Sequence, residues 1–176
     1  AGKFDIVKAP HSIGSFHRPF GNFGHKVRAY TYIKALGGTG VQAMSGVAVL
    51  TAQYLYKELK TTYPSLPENC ENEVRMHEFI LTISKETFER IEKGGTPKAQ
   101  AIAKIGKLFL DFGLHAPTVA FPEVYGLMIE PTETYSKAEL DKFVVVVKEI
   151  FNIINEMPQV LTTAPHFTPS LKVDEV

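Results

Sequence analysis

The stretch Phe112 to Phe143, FGLHAPTVAFPEVYGLMIEPTETYSKAELDKF, decides the fold. Gly113 ends a helical run. Thr118 to Phe121 and Leu127 to Glu130 are short apolar segments fenced by Pro117, Pro122 and Pro131, which is how strands bounded by breakers read. Ser136, Lys137, Ala138 and Glu139 then form a capping box, in which the Ser hydroxyl and the Glu carboxylate satisfy two helix-end amides reciprocally. The order is helix end, strand, strand, helix start.

Working upstream, Met76 to Ser84 alternates Phe79, Leu81 and Ile83 on one side, the period of a strand with one buried face. Thr96 as cap and Pro97 at the first helical position open TPKAQAIAKIGKLFLDFG, where Ile102, Ile105, Phe109 and Phe112 form a sheet-facing stripe. Downstream, Leu140, Phe143, Val147, Ile150 and Ile154 give the last helix its own stripe, up to Pro158. Near the N-terminus Asn22 caps a helix carrying Phe23, Val27, Tyr30 and Ile33, which Gly37 and Gly38 stop. A second helix from Thr39 carries Val41, Met44, Ala48, Leu55 and Leu59 until TTYP breaks it. The two helices read as a hairpin or as one bent helix. Ser65 to Glu73 reads as an acidic, proline-containing loop. The expected architecture is α+β: a three-stranded, mostly antiparallel sheet with helices on one face, plus connecting helices at the N-terminal side. The expected division is an arm over 1–20, connecting helices over 21–62 and a small C-terminal α+β domain over 63–176.

At 176 residues the chain can bury a real core. The apolar share is 44%, and 19 basic residues balance 19 acidic ones. A net charge of zero gives no electrostatic case for nucleic acid or an anionic membrane surface. The longest aliphatic run, Val144 to Val147, falls far short of the ~20 residues a membrane helix needs, so no membrane span is expected. The N-terminus has no secretory apolar core. The single cysteine, Cys70, cannot close an internal bridge, and its polar surroundings offer nothing to lower its pKa. A reducing compartment, the cytoplasm by default, is expected.

Six histidines raise the question of a metal. His77 and His115 each sit at the edge of an expected strand, but no pair has the close spacing of a zinc helix motif, so no metal site is expected. His77 beside Glu78 suggests an acid/base pair, yet adjacent strand residues point to opposite faces and would not converge. In Arg18 to Lys26, Gly21, Asn22 and Gly24 can expose backbone donors at a helix start, where the dipole favours an anion; a turn feeding a helix explains them equally well. Lys26 is read as a solvated first-turn lysine rather than a Schiff-base amine.

Five blocks in series, FGNFGHKVRAYTYIKALGGTGVQAMSGVAVL, MHEFILT, DFGLHAPTVAFP, LMIEPTETYSKAELDKF and APHFTPS with VDEV, resemble the C-terminal part of the glycine decarboxylase P-protein family. The likeness is strongest to subunit 2 of the split, two-chain form, glycine dehydrogenase (decarboxylating). The resemblance implies a small domain of a pyridoxal-phosphate enzyme of the aspartate-aminotransferase fold type (fold type I). Such an enzyme decarboxylates glycine and passes the aminomethyl group to the lipoyl arm of the H-protein. The aldimine lysine of that family lies in an upstream HKTF-type block followed by glycines, which this sequence does not contain, and His25 and Lys26 are not that pair. The chain is therefore expected to be an inactive fragment without a catalytic residue of its own and without bound cofactor. Its partners would be the large pyridoxal-phosphate domain, glycine dehydrogenase subunit 1 and the H-protein, and it would self-associate. The resemblance places Gly21, Asn22 and Gly24 near the cofactor phosphate and His77 and His115 at the active-site rim, with Thr132 and Glu133 fixing a turn. A free-standing α+β binding or assembly module is the alternative, and a metal enzyme using His77 and His115 ranks last.

Overall fold

The structure, a computed structural model, describes residues 5, 7, 9–14, 21–67, 72–121 and 125–170. Cys70 lies outside the described residues. The chain divides into two compact units, 1–42 and 43–176.

One helix, α1 (Phe23–Leu59), runs through residues of both units and contains a break at Gly37, whose φ of 65° is non-helical. The backbone is helical on both sides of this residue, so the glycine joint read from the sequence is present at Gly37. By length and composition α1 could span a bilayer, which corrects the expectation that the chain holds no such segment. Glycine suits the break because other residues rarely adopt that left-handed backbone. Asn22 caps the start as expected, its Oδ1 accepting the Gly24 amide at 3.1 Å. The apolar stripe of α1 is buried only from Thr51 onward, through Ala52, Leu55 and Leu59.

Unit 2 is built on a four-stranded antiparallel sheet in the order β1-β2-β4-β3, with β1 Ser65–Leu66, β2 Phe79–Thr82, β3 Thr118–Val119 and β4 Gly126–Ile129. The expected three strands are present, and the fourth, β1, lies in the segment read as a loop. It is only two residues long, too short for an alternating pattern to register, and exists through its pairing with Leu81 and Ile80. The central register pairs Phe79 with Ile129 and Leu81 with Leu127. Those four side chains share one buried face, whereas Ile80 and Met128 on the other face are half-buried.

The buried face belongs to one hydrophobic core with α2 (Lys85–Lys93), α3 (Lys98–Asp111) and α4 (Lys137–Glu156). Ile91, Ile105, Phe109, Ile150 and Ile154 are among its fully buried members. Helix α2 was not anticipated, although Ser84 caps it by accepting the Thr87 amide at 3.2 Å. Its charged sequence offers only Phe88 and Ile91 as large apolar anchors, so helical periodicity is faint. Helix α3 begins one residue later than expected: Pro97 holds the cap position without a side-chain bond, and the Thr96 hydroxyl is buried without a hydrogen-bond partner. After α3, Gly113 takes a φ of 69°, the left-handed C-terminal stop its position indicated.

The capping box forms as read. The Ser136 amide donates to Glu139 Oε2 at 2.7 Å and the Glu139 amide to Ser136 Oγ at 3.3 Å. The Ser136 backbone bond holds the Glu139 carboxyl below its ordinary pKa. Ser136→Ala is expected to lower stability by about 1 kcal/mol, read as an earlier urea midpoint; an unchanged midpoint would show that the cap contributes nothing.

Candidate functional site

The antiparallel register brings three chain segments out at one end of the sheet. Residues just before β2, just after β4 and just before β3 lie there, because Phe79 pairs with Ile129 and Thr118 with Met128. His77, Glu78, Glu130 and His115 are carried on these segments.

His77 Nε2 lies 3.9 Å from Glu130 Oε1 and 4.0 Å from Glu78 Oε2. This corrects the expectation that His77 and Glu78 diverge. The extended strand starts only at Phe79, and His77 sits in a bend where alternation does not apply. The three side chains are about half exposed, at 52%, 46% and 51%. At these separations the contacts are too long for hydrogen bonds, and the imidazole lies between two carboxylates. Their ligand atoms all lie within 4.8 Å of one another, a spacing that also admits a divalent cation in competition with solvent.

Arg75 fixes the approach to this bend. Its guanidinium stacks over the Tyr56 ring at 4.8 Å and donates through Nη2 to the Tyr56 hydroxyl at 3.2 Å and Ser65 Oγ at 3.4 Å. Its carbonyl accepts from Gln53 Nε2. The segment leading to His77 is thereby tied to the last turns of α1 and to β1.

His115 Nδ1 is 2.8 Å from the Ala116 carbonyl, which can only accept. Nδ1 therefore carries the hydrogen of that contact. Among the described residues no hydrogen bond or ion pair joins His115 to His77. In the EPTET turn, Thr132 Oγ1 lies 2.6 Å from Thr134 Oγ1 and accepts the Thr134 amide at 3.4 Å, the turn-fixing role proposed for Thr132.

In unit 1, Gly21 has a φ of 75°, and Asn22 and Gly24 form the capped start of α1. One leading amide is thus already satisfied by the Asn22 side chain. His25, Arg28, Ala29 and Tyr32 line a shallow hollow on the following turns.

A second polar constellation escaped the sequence reading. Asp111, only 5% exposed, ends α3 and accepts the His166 amide at 2.6 Å, the Phe167 amide at 2.8 Å and His166 Nδ1 at 2.9 Å. Burial pushes its carboxyl up, but the Phe167 and His166 hydrogen bonds hold the net pKa below the ordinary carboxylate value. His166 Nε2 lies 3.0 Å from Thr163 Oγ1, completing a carboxylate–imidazole–hydroxyl chain. Such a chain can activate a hydroxyl. The Thr163 amide, however, is bonded to the Val160 carbonyl at 3.3 Å rather than offered to an oxyanion. The arrangement acts as a clamp holding APHF against the end of α3. A signal existed in the sequence: a carboxylate at a helix C-terminus opposes the helix dipole and needs compensating donors.

A family profile described as "Glycine dehydrogenase, C-terminal domain" matches residues 44–166. Similar proteins include the "Probable glycine dehydrogenase (decarboxylating) subunit 2" of Thermosipho africanus (strain TCF52B). It is 42% identical over 173 residues, which cover 95% of this chain and 33% of that protein. The protein of the same description from Pyrococcus abyssi (strain GE5 / Orsay) is 44% identical over 170 residues, 95% of this chain and 32% of its own length. The chain spans about a third of the length of these curated relatives. The profile covers His77, His115, Glu130, Asp111 and His166, all in unit 2, and by that match the chain belongs to the glycine dehydrogenase C-terminal domain family.

Proposed function

We propose that this chain is the C-terminal part of a decarboxylating glycine dehydrogenase subunit 2 of the glycine cleavage system, functional only with the rest of that subunit. The observation that carries the reading is the family match over 44–166 together with relatives about three times as long. In the complete cytoplasmic enzyme, pyridoxal phosphate would serve glycine decarboxylation, with subunit 1 and the lipoyl H-protein as partners.

Among the described residues, the groups present do not fit the cofactor by themselves. It needs a lysine amine in a dry pocket and donors for its phosphate. Lys26 and Lys34 are on the exposed part of α1, and Lys104 is buried on the α3 face that carries Ala101 and Leu108. The Gly21–Gly24 turn caps its own helix. We assign this chain the rim instead. His77 and His115 would face the reacting end at the sheet terminus, and Gly21, Asn22 and Gly24 would lie near the phosphate once the remaining polypeptide is in place.

Two measurements test this. Pyridoxal phosphate added to the chain alone should give no saturable visible aldimine band and no borohydride-trapped lysine adduct; a trapped adduct on any lysine here overturns the fragment reading. Co-expression with the uncovered two-thirds of the Thermosipho africanus subunit, plus subunit 1 and lipoylated H-protein, should yield glycine-dependent release of carbon dioxide. In that assembly His77→Ala should lower kcat about 10²-fold or more if the imidazole moves a proton. An assembled complex without decarboxylation contradicts the functional assignment.

A further inference from the structure

Among the described residues, one group of three side chains brings its metal-ligating atoms within 4.8 Å of one another: the His77 imidazole and the carboxylates of Glu78 and Glu130. We propose that this group is a zinc site, with His77 Nε2 and one oxygen from each glutamate as the protein ligands and water completing the coordination. The proposal concerns this chain's own residues and stands apart from the functional reading above.

Two exposed carboxylates at a sheet end are ordinary by themselves, but the strand register gives this pair a cost. Phe79 pairs with Ile129, so one residue further out Glu78 faces Glu130. Like charges directly opposite one another on neighbouring strands destabilise the pair. Among the described residues, the His77 imidazole is the one basic side chain within 4.0 Å of either carboxylate. With that imidazole neutral the cluster carries two negative charges, and a divalent cation between them cancels both.

The third ligand selects the metal. Magnesium and calcium take oxygen donors, six or more in all, and magnesium keeps several waters. An imidazole nitrogen beside two carboxylates suits zinc instead, which is bound by His nitrogen and Asp or Glu oxygen and in open sites holds three protein ligands plus water. Soft cuprous ion would require thiolate or thioether donors, and none is in the group.

The distances and the supports fit that ion. Zinc–ligand bonds of about 2.0–2.2 Å at tetrahedral angles put neighbouring ligand atoms about 3.4 Å apart. His77 Nε2 stands 3.9 Å from Glu130 Oε1 and 4.0 Å from Glu78 Oε2, so closure by about 0.5 Å completes the site. Half-exposed side chains can turn that far without moving the backbone. The backbone itself is anchored: both glutamates adjoin the central β2–β4 pair, and Arg75 ties the segment before His77 to Tyr56 and Ser65. Register assembles the ligands from two distant segments, which is why no spacing along the chain announced them. His115, the other histidine singled out from the sequence, is not in the group.

The test titrates zinc chloride into the full chain near neutral pH and reads binding by calorimetry. One zinc per chain should bind saturably. His77→Ala and Glu130→Gln should each weaken binding at least tenfold to a hundredfold, the loss typical of removing even an indirect support of a metal site, while His115→Ala should leave it unchanged. Cobalt(II) in place of zinc should give the visible absorbance of a tetrahedral centre in wild type and not in His77→Ala. Saturating zinc should also raise the urea midpoint of the wild type and leave those of His77→Ala and Glu130→Gln where they are without metal, a readout that requires only that the variants fold. No saturable uptake below about 1 mM zinc, a binding energy of about −4 kcal/mol, overturns the proposal. Uptake that survives both ligand variants places the zinc elsewhere and overturns it equally. Displacement of the zinc by an equal concentration of magnesium or calcium would show an oxygen-only site and overturns the assignment of His77 as a ligand.

Discussion

Gly126→Val is expected to cost unit 2 about 3 kcal/mol or more, a large share of the ~5–15 kcal/mol that holds a typical domain together. Gly126 opens β4 opposite Thr82. A Cβ there would stand 2.5 Å from Ile80 Cγ2, 3.1 Å from the Leu81 carbonyl oxygen and 3.4 Å from Leu66 Cδ1. The difficulty is one of space, because the backbone at this position is not in the left-handed region. Neither close neighbour can yield cheaply. Ile80 is β-branched and stiff at χ1, and the Leu81 carbonyl belongs to the central strand. Gly126→Ala should be milder, and adding Ile80→Ala should recover part of its loss by removing the 2.5 Å contact, leaving the carbonyl contact in place. Urea denaturation measures all three. A Gly126→Val midpoint equal to wild type would mean the β2–β4 pair yields without cost, and the close packing described for it would be wrong.

The same strand pair shows what was legible in the sequence. Phe79, Leu81 and Ile83 announced β2 by strict alternation, and the Ser136–Glu139 box announced α4, because in both cases the physical cause lies within a few residues of its effect. The apolar stripes of α3 and α4 are of the same kind. Features created by distant segments were not legible. β1 is a strand only because Leu81 and Ile80 face it, and α2 is held by two large apolar side chains that meet a core assembled from elsewhere. The site follows this rule. His77 and Glu130 were visible as residues, but their approach depends on antiparallel register and on a bend just before β2.

Asp111→Ala is the second change expected to be severe. Three donors, the His166 and Phe167 amides and the His166 ring, converge on one carboxylate. Its removal leaves them without their acceptor, at roughly 1–3 kcal/mol for each that remains buried, so a total near 3 kcal/mol is expected. Asp111→Asn keeps one acceptor oxygen and should cost less. His166→Ala removes the ring bond but spares both amides, so its loss should be smaller and should not add to that of Asp111→Ala. The pH dependence separates this clamp from simple packing. The folded carboxyl is held below its ordinary value, so its contribution is fully present above the unfolded carboxylate pKa of about 3.9 and disappears as pH falls through the lower folded value. The stability gap between wild type and Asp111→Ala, read from urea midpoints, should therefore be widest near neutrality and close progressively below about pH 4. A gap of the same size at pH 3 and pH 7 would show that the loss comes from side-chain volume alone. The tethering of APHF to the end of α3 would then owe nothing to charge.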